Sequence, residues 1–383
     1  MIDNLKNDFK QTSNIDFKDK IIKDIENLEE SNLCLDKRQL SYKVSANSMY
    51  GAMGVKKGYL PFLQGAMCVT AKGRESIHKA SDYLQNECGG TVIYNDTDSA
   101  YTYFKCLENK PMNECWDYVE KVVQQIVDSK LFPSPMKLEF EGKIYNKFLI
   151  LTKKRYVAQP IDRDGNVSSK LVKRGIVLQR RDNCQFLRDI YQMTIDKILK
   201  YIDIITNIKN KNLSLRELQN IPEIKDILDS IIFSIDTLFQ WKYNFKNFII
   251  TKTLTRLPKD YKGKRMPVHA FLASKMEKRG IPIQIGSRIE YLLLDISNVG
   301  YNKKELQQEK VEDSVYFSEF RELLRIDYLY YLRTQVVKPI DELIKLCLGI
   351  HKFMETQFGF RVNKTNLLAS FKNKLKPQII YSE

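Results

Sequence analysis

Two aspartates, Asp96 and Asp98, lie two residues apart in Tyr94-Asn95-Asp96-Thr97-Asp98-Ser99. Strand-forming residues flank them, Val92-Ile93 before and Tyr101-Thr102-Tyr103 after. The pattern predicts a β-hairpin over Thr91 to Phe104 with the acids at its tip. On a strand or its turn, residues i and i+2 project to one side. Two anions forced to one side repel unless a cation joins them. A hard divalent cation such as Mg²⁺ answers that need, because it takes oxygen ligands and shares them with phosphates. For an isolated pair of this kind a plain polar turn is the simpler reading, since Asp, Asn and Ser favour turns anyway.

A second pattern lies upstream. Lys43-Val44-Ser45-Ala46-Asn47-Ser48-Met49-Tyr50-Gly51 follows a helix-forming run from Asp36 to Leu40. At helical spacing Lys43, Asn47 and Tyr50 fall at i, i+4 and i+7 and share one face. A cation, an amide and an aromatic ring on one face suit a nucleotide, with lysine for the triphosphate and the other two for base and sugar. Alone, this stretch reads equally as an amphipathic helix with Tyr50 in a core. Together the two patterns resemble the B-family DNA polymerases, whose motif B has the form K-x3-N-S-x-Y-G and whose motif C has the form Y-x-D-T-D-S.

The resemblance continues along the chain. Lys153-Lys154-Arg155-Tyr156 looks like the family's K-K-R-Y element, which grips the primer–template. Gly175-Ile176-Val177-Leu178-Gln179-Arg180-Arg181-Asp182-Asn183-Cys184 is similar to the stretch that leads from palm to thumb. Ile250 to Thr255, Pro267 to Ala273, Gly286 to Tyr291 and Asp327 to Leu332 look like parts of the thumb. Replicative polymerases of large double-stranded DNA viruses and eukaryotic polymerase delta are the members it resembles most.

The resemblance implies an α+β fold. Its parts are a palm of antiparallel sheet with packed helices, a remnant helical fingers hairpin and a mostly helical thumb. The implied division is 1–54 for the end of the fingers, 55–185 for the palm and 186–383 for the thumb. The implied reaction is DNA-directed DNA synthesis by two Mg²⁺ ions, which transfers dNTPs to a primer 3′-hydroxyl. Asp96 and Asp98 would be the catalytic and metal-binding pair, with Asp98 favoured as a direct ligand. Lys43, Asn47 and Tyr50 would hold the dNTP. Lys153, Lys154, Arg155 and Tyr156 would hold DNA, as would Arg74 and Arg180. Glu139 and Glu141, in Lys-Leu-Glu-Phe-Glu, resemble a family strand that passes the metals, though exposed strand acids explain them as well.

The chain also departs from the family pattern. The family motif D-x-x-S-L-Y-P-S, which supplies a further metal-binding aspartate, does not occur in it. The exonuclease motifs do not occur either. The expectation is a chain inactive alone, either the C-terminal part of a split polymerase or a truncated frame, needing an N-terminal polymerase fragment that carries motif A and the exonuclease. A non-catalytic DNA-binding remnant is the alternative. A reverse transcriptase would usually present adjacent Asp-Asp where Thr97 separates the acids here. A nucleic-acid-coating protein would leave the Lys43 to Gly51 pattern unexplained.

Composition agrees with a nucleic-acid partner. At 383 residues the chain can bury a sizeable core, and a net charge of +15 implies an anionic partner. From Lys137 to Arg181 there are twelve Lys or Arg against four Asp or Glu, interleaved with strand-like apolar residues. That interleaving sets cations on one face of a sheet, where they can track phosphates. The seven cysteines form no C-x-x-C pair, which argues against a zinc or iron–sulfur site. No signal peptide or membrane-length apolar run is read. The chain is therefore expected to be soluble and intracellular, acting at a viral replication site in host cytoplasm or nucleus. The tail Lys376 to Tyr381 resembles a sliding-clamp peptide.

Periodicity gives the elements that must position these residues. Helices are predicted over Asp16–Glu30 and Lys37–Met53, ending the first at Ser31-Asn32 and forming an antiparallel hairpin. Further helices are expected over Gln64–Gln85, Met112–Lys130, Phe186–Ile208, Glu223–Phe239, Met266–Arg279 and Ser318–Phe358, the last bent or broken by Pro339. Gly73 suggests either close approach of another backbone or a tolerated helix glycine. Strands are expected over Lys137–Leu171, with a turn at Asp162 to Asn166.

Overall fold

The computed structural model describes residues 15–209, 213–239, 243–261, 266–296 and 308–358, together with positions 5, 9, 12 and 211. It divides into two compact units, Met1–Glu141 and Gly142–Glu383. The clamp-like tail from Lys376 lies outside the described residues, as does the rest of the chain after 358.

The first unit begins with one helix, α1 (Ile15–Met53), of 39 residues. This corrects the expected fingers hairpin. Between Ile15 and Tyr50 there is neither glycine nor proline. Ser31 and Asn32 are weak helix formers but not chain reversers, so the helix runs through them. It is exposed along nearly its whole length, with Ile21 its one buried side chain among the described residues. Next come α2 (Leu63–Asn86), β1 (Thr91–Asp96), β2 (Ser99–Tyr103) and α3 (Met112–Asp128), close to the expected spans. The two strands pair antiparallel. A two-stranded hairpin is marginal by itself, and here it rests on helices: Leu84, Phe104, Val122 and Ile126 form a small core with Val92, Ala100 and Tyr118. Tyr118 hydroxyl donates to the Cys88 carbonyl at 3.3 Å and its ring meets Phe104 at 5.4 Å. Among the described residues nothing lies within 4 Å of where a Cβ at Gly73 would be, which fits the tolerated helix glycine.

The second unit opens with a meander of β3 (Ile144–Thr152), β4 (Arg155–Ile161) and β5 (Val172–Arg174). The stretch 137–141 forms no strand, contrary to expectation, and Glu139 instead pairs with Lys137 at 2.6 Å. The expected turn is present, with Asn166 amide donating to the Asp162 carboxylate at 2.7 Å. Helices follow: α4 (Gln185–Lys200), α5 (Ile202–Lys209), α6 (Leu215–Gln219) and α7 (Pro222–Phe239), the last starting at proline as read. A second three-stranded antiparallel sheet then appears where mostly helix was expected. Its strands are β6 (Ile250–Thr253), β7 (Arg288–Leu293) and β8 (Val311–Asp313), and α8 (Val268–Lys278) lies between the first two in sequence.

The C-terminal helical stretch is broken more often than expected. It comprises α9 (Ser314–Glu319), α10 (Tyr328–Tyr331), a π turn at Leu332–Val336, α11 (Val337–Leu348) and α12 (Phe353–Phe358). Proline has no N–H, and its ring clashes with the carbonyl four residues back. Widening the turn just before Pro339 removes that clash, so the chain stays helical through it. One core runs from Leu151, Val157 and Ile176 through α4 and α7 to Met354. It crosses position 185, so the compact units do not coincide with the 1–54, 55–185 and 186–383 division. Within it Phe248 meets Phe186, Tyr328 and Tyr331 at 5.5, 4.9 and 5.3 Å. Among the described residues no helix is long and apolar enough to cross a membrane.

Candidate functional site

The acidic pair sits where the hairpin reverses. Asp96 is the last residue of β1 and pairs with Ser99, which leaves Thr97 and Asp98 as the two turn residues. Thr97 has φ 61, and the Asp98 amide donates to the Asp96 carbonyl at 2.7 Å. A left-handed conformation is costly for a β-branched residue, on the order of 1–3 kcal/mol. Glycine or asparagine would fit this turn more easily, so the strain marks a place where side-chain chemistry outweighs backbone comfort. Asp96 is half-buried and Asp98 exposed. Thr97 hydroxyl donates to the Asp96 carboxylate at 3.3 Å.

A bulge decides which way Asp96 faces. The register shifts between Val92 and Tyr94, so Asn95 rather than Tyr94 follows Val92 on the α2 side. Asn95 amide donates to Ser81 Oγ of α2 at 3.0 Å, and Ser81 hydroxyl donates to the Ile77 carbonyl at 2.8 Å. Asp96 is thereby turned to the face opposite the core, beside the Tyr94 and Tyr101 rings, whose centroids lie 5.8 Å apart. Tight packing fixes the strand entry: a Cβ at Gly90 would come within 2.6 Å of Thr102 and 2.8 Å of Phe104.

Lys43, Asn47 and Tyr50 are all solvent-exposed on the unbroken helix α1, which rules out the reading of Tyr50 as a core residue of this unit. Ser48 hydroxyl donates to the Val44 carbonyl at 2.8 Å. Helix α2 contacts α1 and both strands of the hairpin. Arg74 is exposed on α2. Nearby, Lys72 and Lys79 flank Glu75 at 3.1 and 2.7 Å. Their hydrogen bonds hold its carboxyl below the ordinary carboxylate value, Lys79 contributing most. Among the described residues no group of three or more His, Cys, Asp or Glu could hold a metal ion, so the pair has no third protein ligand there.

In the second unit the K-K-R-Y element is a hairpin turn. Lys153 and Lys154 occupy the turn between β3 and β4, both exposed, with Lys154 at φ 63. Arg155 starts β4 and is engaged by Glu342 of α11 at 2.5 Å, which raises its guanidinium above the ordinary value. Tyr156 is 4% exposed and lies against Phe148, ring centroids 5.4 Å apart. Thus the two lysines present charge, while the arginine and tyrosine anchor the strand behind them. Gly175 explains why the later stretch belongs with this turn. Its φ is 59, and a Cβ there would lie 2.1 Å from the Lys154 carbonyl oxygen. Arg180 follows, exposed, with Asp182 at 3.3 Å.

Sequence reading missed Ser81 and Asn95 as positioning residues, because a bulge leaves no mark in the pattern. Gly175 was visible as a glycine but not as the partner of a lysine carbonyl.

Family comparison matches residues 15–347 to DNA polymerase family B. The chain is similar to DNA polymerase 120R of Invertebrate iridescent virus 3, 34% identical over 388 residues, covering 90% of this chain and 32% of that protein. It is 36% identical over 373 residues to the putative DNA polymerase 060R of Frog virus 3 (isolate Goorha), covering 89% and 36%. It is 30% identical over 325 residues to the DNA polymerase delta catalytic subunit of Mesocricetus auratus, covering 82% and 26%. A solved family B DNA polymerase from Pyrobaculum calidifontis superposes with a TM-score of 0.46 at 19% identity, covering 91% of this chain and 36% of that one. The chain spans about a third of the length of the curated relatives it matches.

Proposed function

We propose, from the premise that the chain belongs to DNA polymerase family B, that it supplies the acidic hairpin, nucleotide-facing helix and DNA-gripping lobe of a DNA-directed DNA polymerase. The observation that carries this reading is the strained two-residue turn holding Asp96 and Asp98, on a hairpin that packs against α2, which also contacts α1. Two carboxylates are hard oxygen donors and fit Mg²⁺, but Mg²⁺ takes six ligands, so phosphate, water and a further carboxylate would have to complete the set. A D-x-x-S-L-Y-P-S stretch, in an N-terminal polymerase fragment that also carries the exonuclease, would be the source of that carboxylate. When bound, the metal pair neutralises phosphate charge and lowers the pKa of the primer 3′-hydroxyl.

The residues of this chain then divide the work of binding and orientation. Asp96 and Asp98 hold the cations. Lys43 holds the incoming triphosphate, and Asn47 and Tyr50 line the nascent base pair. Lys153 and Lys154 meet DNA phosphates, with Arg155 and Tyr156 fixing their turn. Arg74 and Arg180 add contacts to the DNA backbone. Rate enhancement of this kind comes from positioning and charge neutralisation. The site of action would be the replication site of a large DNA virus, in host cytoplasm or nucleus, and a sliding clamp is a further candidate partner.

The test is reconstitution. The chain is mixed with a polypeptide carrying the preceding polymerase region, and primer extension is followed with Mg²⁺ and dNTPs. Template-directed synthesis is expected, falling at least about a hundredfold in Asp98→Asn and in Asp96→Asn. Undiminished synthesis by both variants would remove the catalytic reading. Tight primer–template binding with no synthesis under any pairing would leave a non-catalytic DNA-binding module.

A further inference from the structure

Two cysteines flank the base of the acidic hairpin. Thr91 and Tyr103 are the outermost register partners of β1 and β2. Cys88 lies three residues before Thr91, and Cys106 lies three residues after Tyr103. Continued outward, the antiparallel register sets Cys88 opposite Cys106. The flanks stay together beyond the last pair. A Cβ at Gly90 would come within 2.8 Å of the Phe104 ring, and Phe104 is still extended, at φ −116 and ψ 107.

Both cysteines meet one side chain. Tyr118 hydroxyl donates to the Cys88 carbonyl at 3.3 Å and hydrogen-bonds the Cys106 thiol. Cys88 amide donates to the Tyr83 carbonyl at 3.3 Å, which fixes this cysteine to the end of α2. Cys88, Leu107 and Tyr118 all pack on the small core beneath the hairpin. A disulfide needs α-carbons roughly 4.4–6.8 Å apart, and facing residues on antiparallel strands are about 4.5–5.5 Å apart.

Exposure divides the chemistry between the two thiols. Cys106 is exposed and Cys88 half-buried. Burial raises the Cys88 thiol above its ordinary value, and the Glu87 charge adds to the effect. Cys106 is therefore the thiol that an oxidant in water reaches first, with Cys88 placed to resolve it. Cys115 is buried, and its thiol is directed at the Leu107 and Lys110 carbonyls, 3.9 Å from each.

We propose that Cys88 and Cys106 are a modification site, a reversible disulfide pair that hydrogen peroxide closes and that clasps the base of the acidic hairpin to the end of α2. The Cys106 sulfur attacks one oxygen of the peroxide, the O–O bond breaks, and the thiol proton leaves with the other oxygen as water. Cys106 is then a sulfenic acid. The Cys88 sulfur attacks the Cys106 sulfur, the S–O bond breaks, and the Cys88 proton and the hydroxyl leave as a second water. A dithiol reductant reopens the bond by exchange. The clasp lies at the end of the hairpin opposite Thr97, so it holds the strands that carry Asp96 without entering the turn.

The full chain is treated with equimolar hydrogen peroxide, alkylated, digested without reductant and mapped by mass spectrometry. A Cys88–Cys106 linked peptide is expected, with two free thiols lost per chain and both recovered with dithiothreitol. Amide exchange over Val92 to Tyr103 should slow at least about tenfold in the oxidised protein and return on reduction. Cys88→Ser should leave Cys106 as a sulfenic acid that dimedone traps, and Cys106→Ser should give no linked peptide. Mapping of the parent chain needs no variant, so a folding defect in either substitution leaves the test intact. A Cys106–Cys115 link, links only between chains through the exposed Cys34 and Cys68, or full retention of thiols overturns the pairing. A Cys88–Cys106 link that leaves hairpin exchange unchanged overturns the clasp.

Discussion

At the scale of single residues, backbone geometry carries the sharpest expectations. Gly175 faces the Lys154 carbonyl at a distance no Cβ can share, and at a φ that L side chains rarely adopt. Gly175→Ala should lower the stability of the second unit by about 3 kcal/mol and displace the lysine turn. Chemical denaturation, combined with duplex affinity, would show both losses, and an alanine protein with parental stability would contradict the packing described. His269 gives a pH expectation. Burial pushes its imidazole below the ordinary value of 6.5, and the Lys252 charge adds to the effect. The unfolded chain therefore takes up a proton more readily than the folded one. Stability is fully present above pH 6.5 and declines as pH falls toward the folded-state pKa. Denaturation midpoints at about pH 7.5 and pH 5.5 should differ, and His269→Gln should shrink that difference. An undiminished difference would assign the pH response to other groups.

At the scale of elements, α1 and α4 make a contrast. In α4 the residues Phe186, Leu187, Ile190, Tyr191, Ile195 and Ile198 are all buried, and burial of an amphipathic face is what holds helices in water. In α1 the stretch from Leu33 to Tyr50 exposes every side chain. Its amide hydrogens should exchange orders of magnitude faster than those of α4. Comparable protection would mean that another surface covers this helix. The apolar residues left open on it, Leu33, Leu40, Val44 and Met49 among them, explain why its sequence reads as if a partner helix should lie nearby. Amphipathic periodicity reports that a face is to be covered, not what covers it. A hairpin is thus expected where one continuous helix stands. The long α2 and the acidic hairpin were legible to within a residue or two, because β-branched and aromatic runs with a polar turn have few alternatives. The sheet of β6, β7 and β8 was not, since Ile250 pairs with Tyr291 and separations of that length leave no local signature.

At the scale of the whole molecule, charge organises both the fold and its use. One cluster is partly buried: Arg279 binds Glu312 through both guanidinium nitrogens at 2.8 and 2.9 Å and Asp313 at 3.1 Å, and it lies over the Tyr316 ring at 4.1 Å. Glu312 and Asp313 are each only 6% exposed. Arg279→Met should destabilise the second unit by about 2 kcal/mol, because it leaves two buried carboxylates with only Lys275, 3.8 Å from Glu312, as a cationic partner. Converting Glu312 to Gln in the same protein should recover part of the loss, and thermal unfolding of the single and double variants would measure it. The remaining excess of positive charge faces water, so duplex affinity should fall steeply with salt. Lys153→Gln and Lys154→Gln should each reduce the slope of log affinity against log salt by about 0.9. From residue types and spacing came the acidic pair and the helical face, and from resemblance came the family and the K-K-R-Y element, because each is a short pattern whose chemistry is local. Only the tertiary structure decided that a bulge and Ser81 turn Asp96 away from the core, that Tyr156 and Arg155 support the lysines in front of them, and that Gly175 belongs beneath Lys154. Those outcomes depend on which distant residues share a few ångströms, and packing in three dimensions sets that.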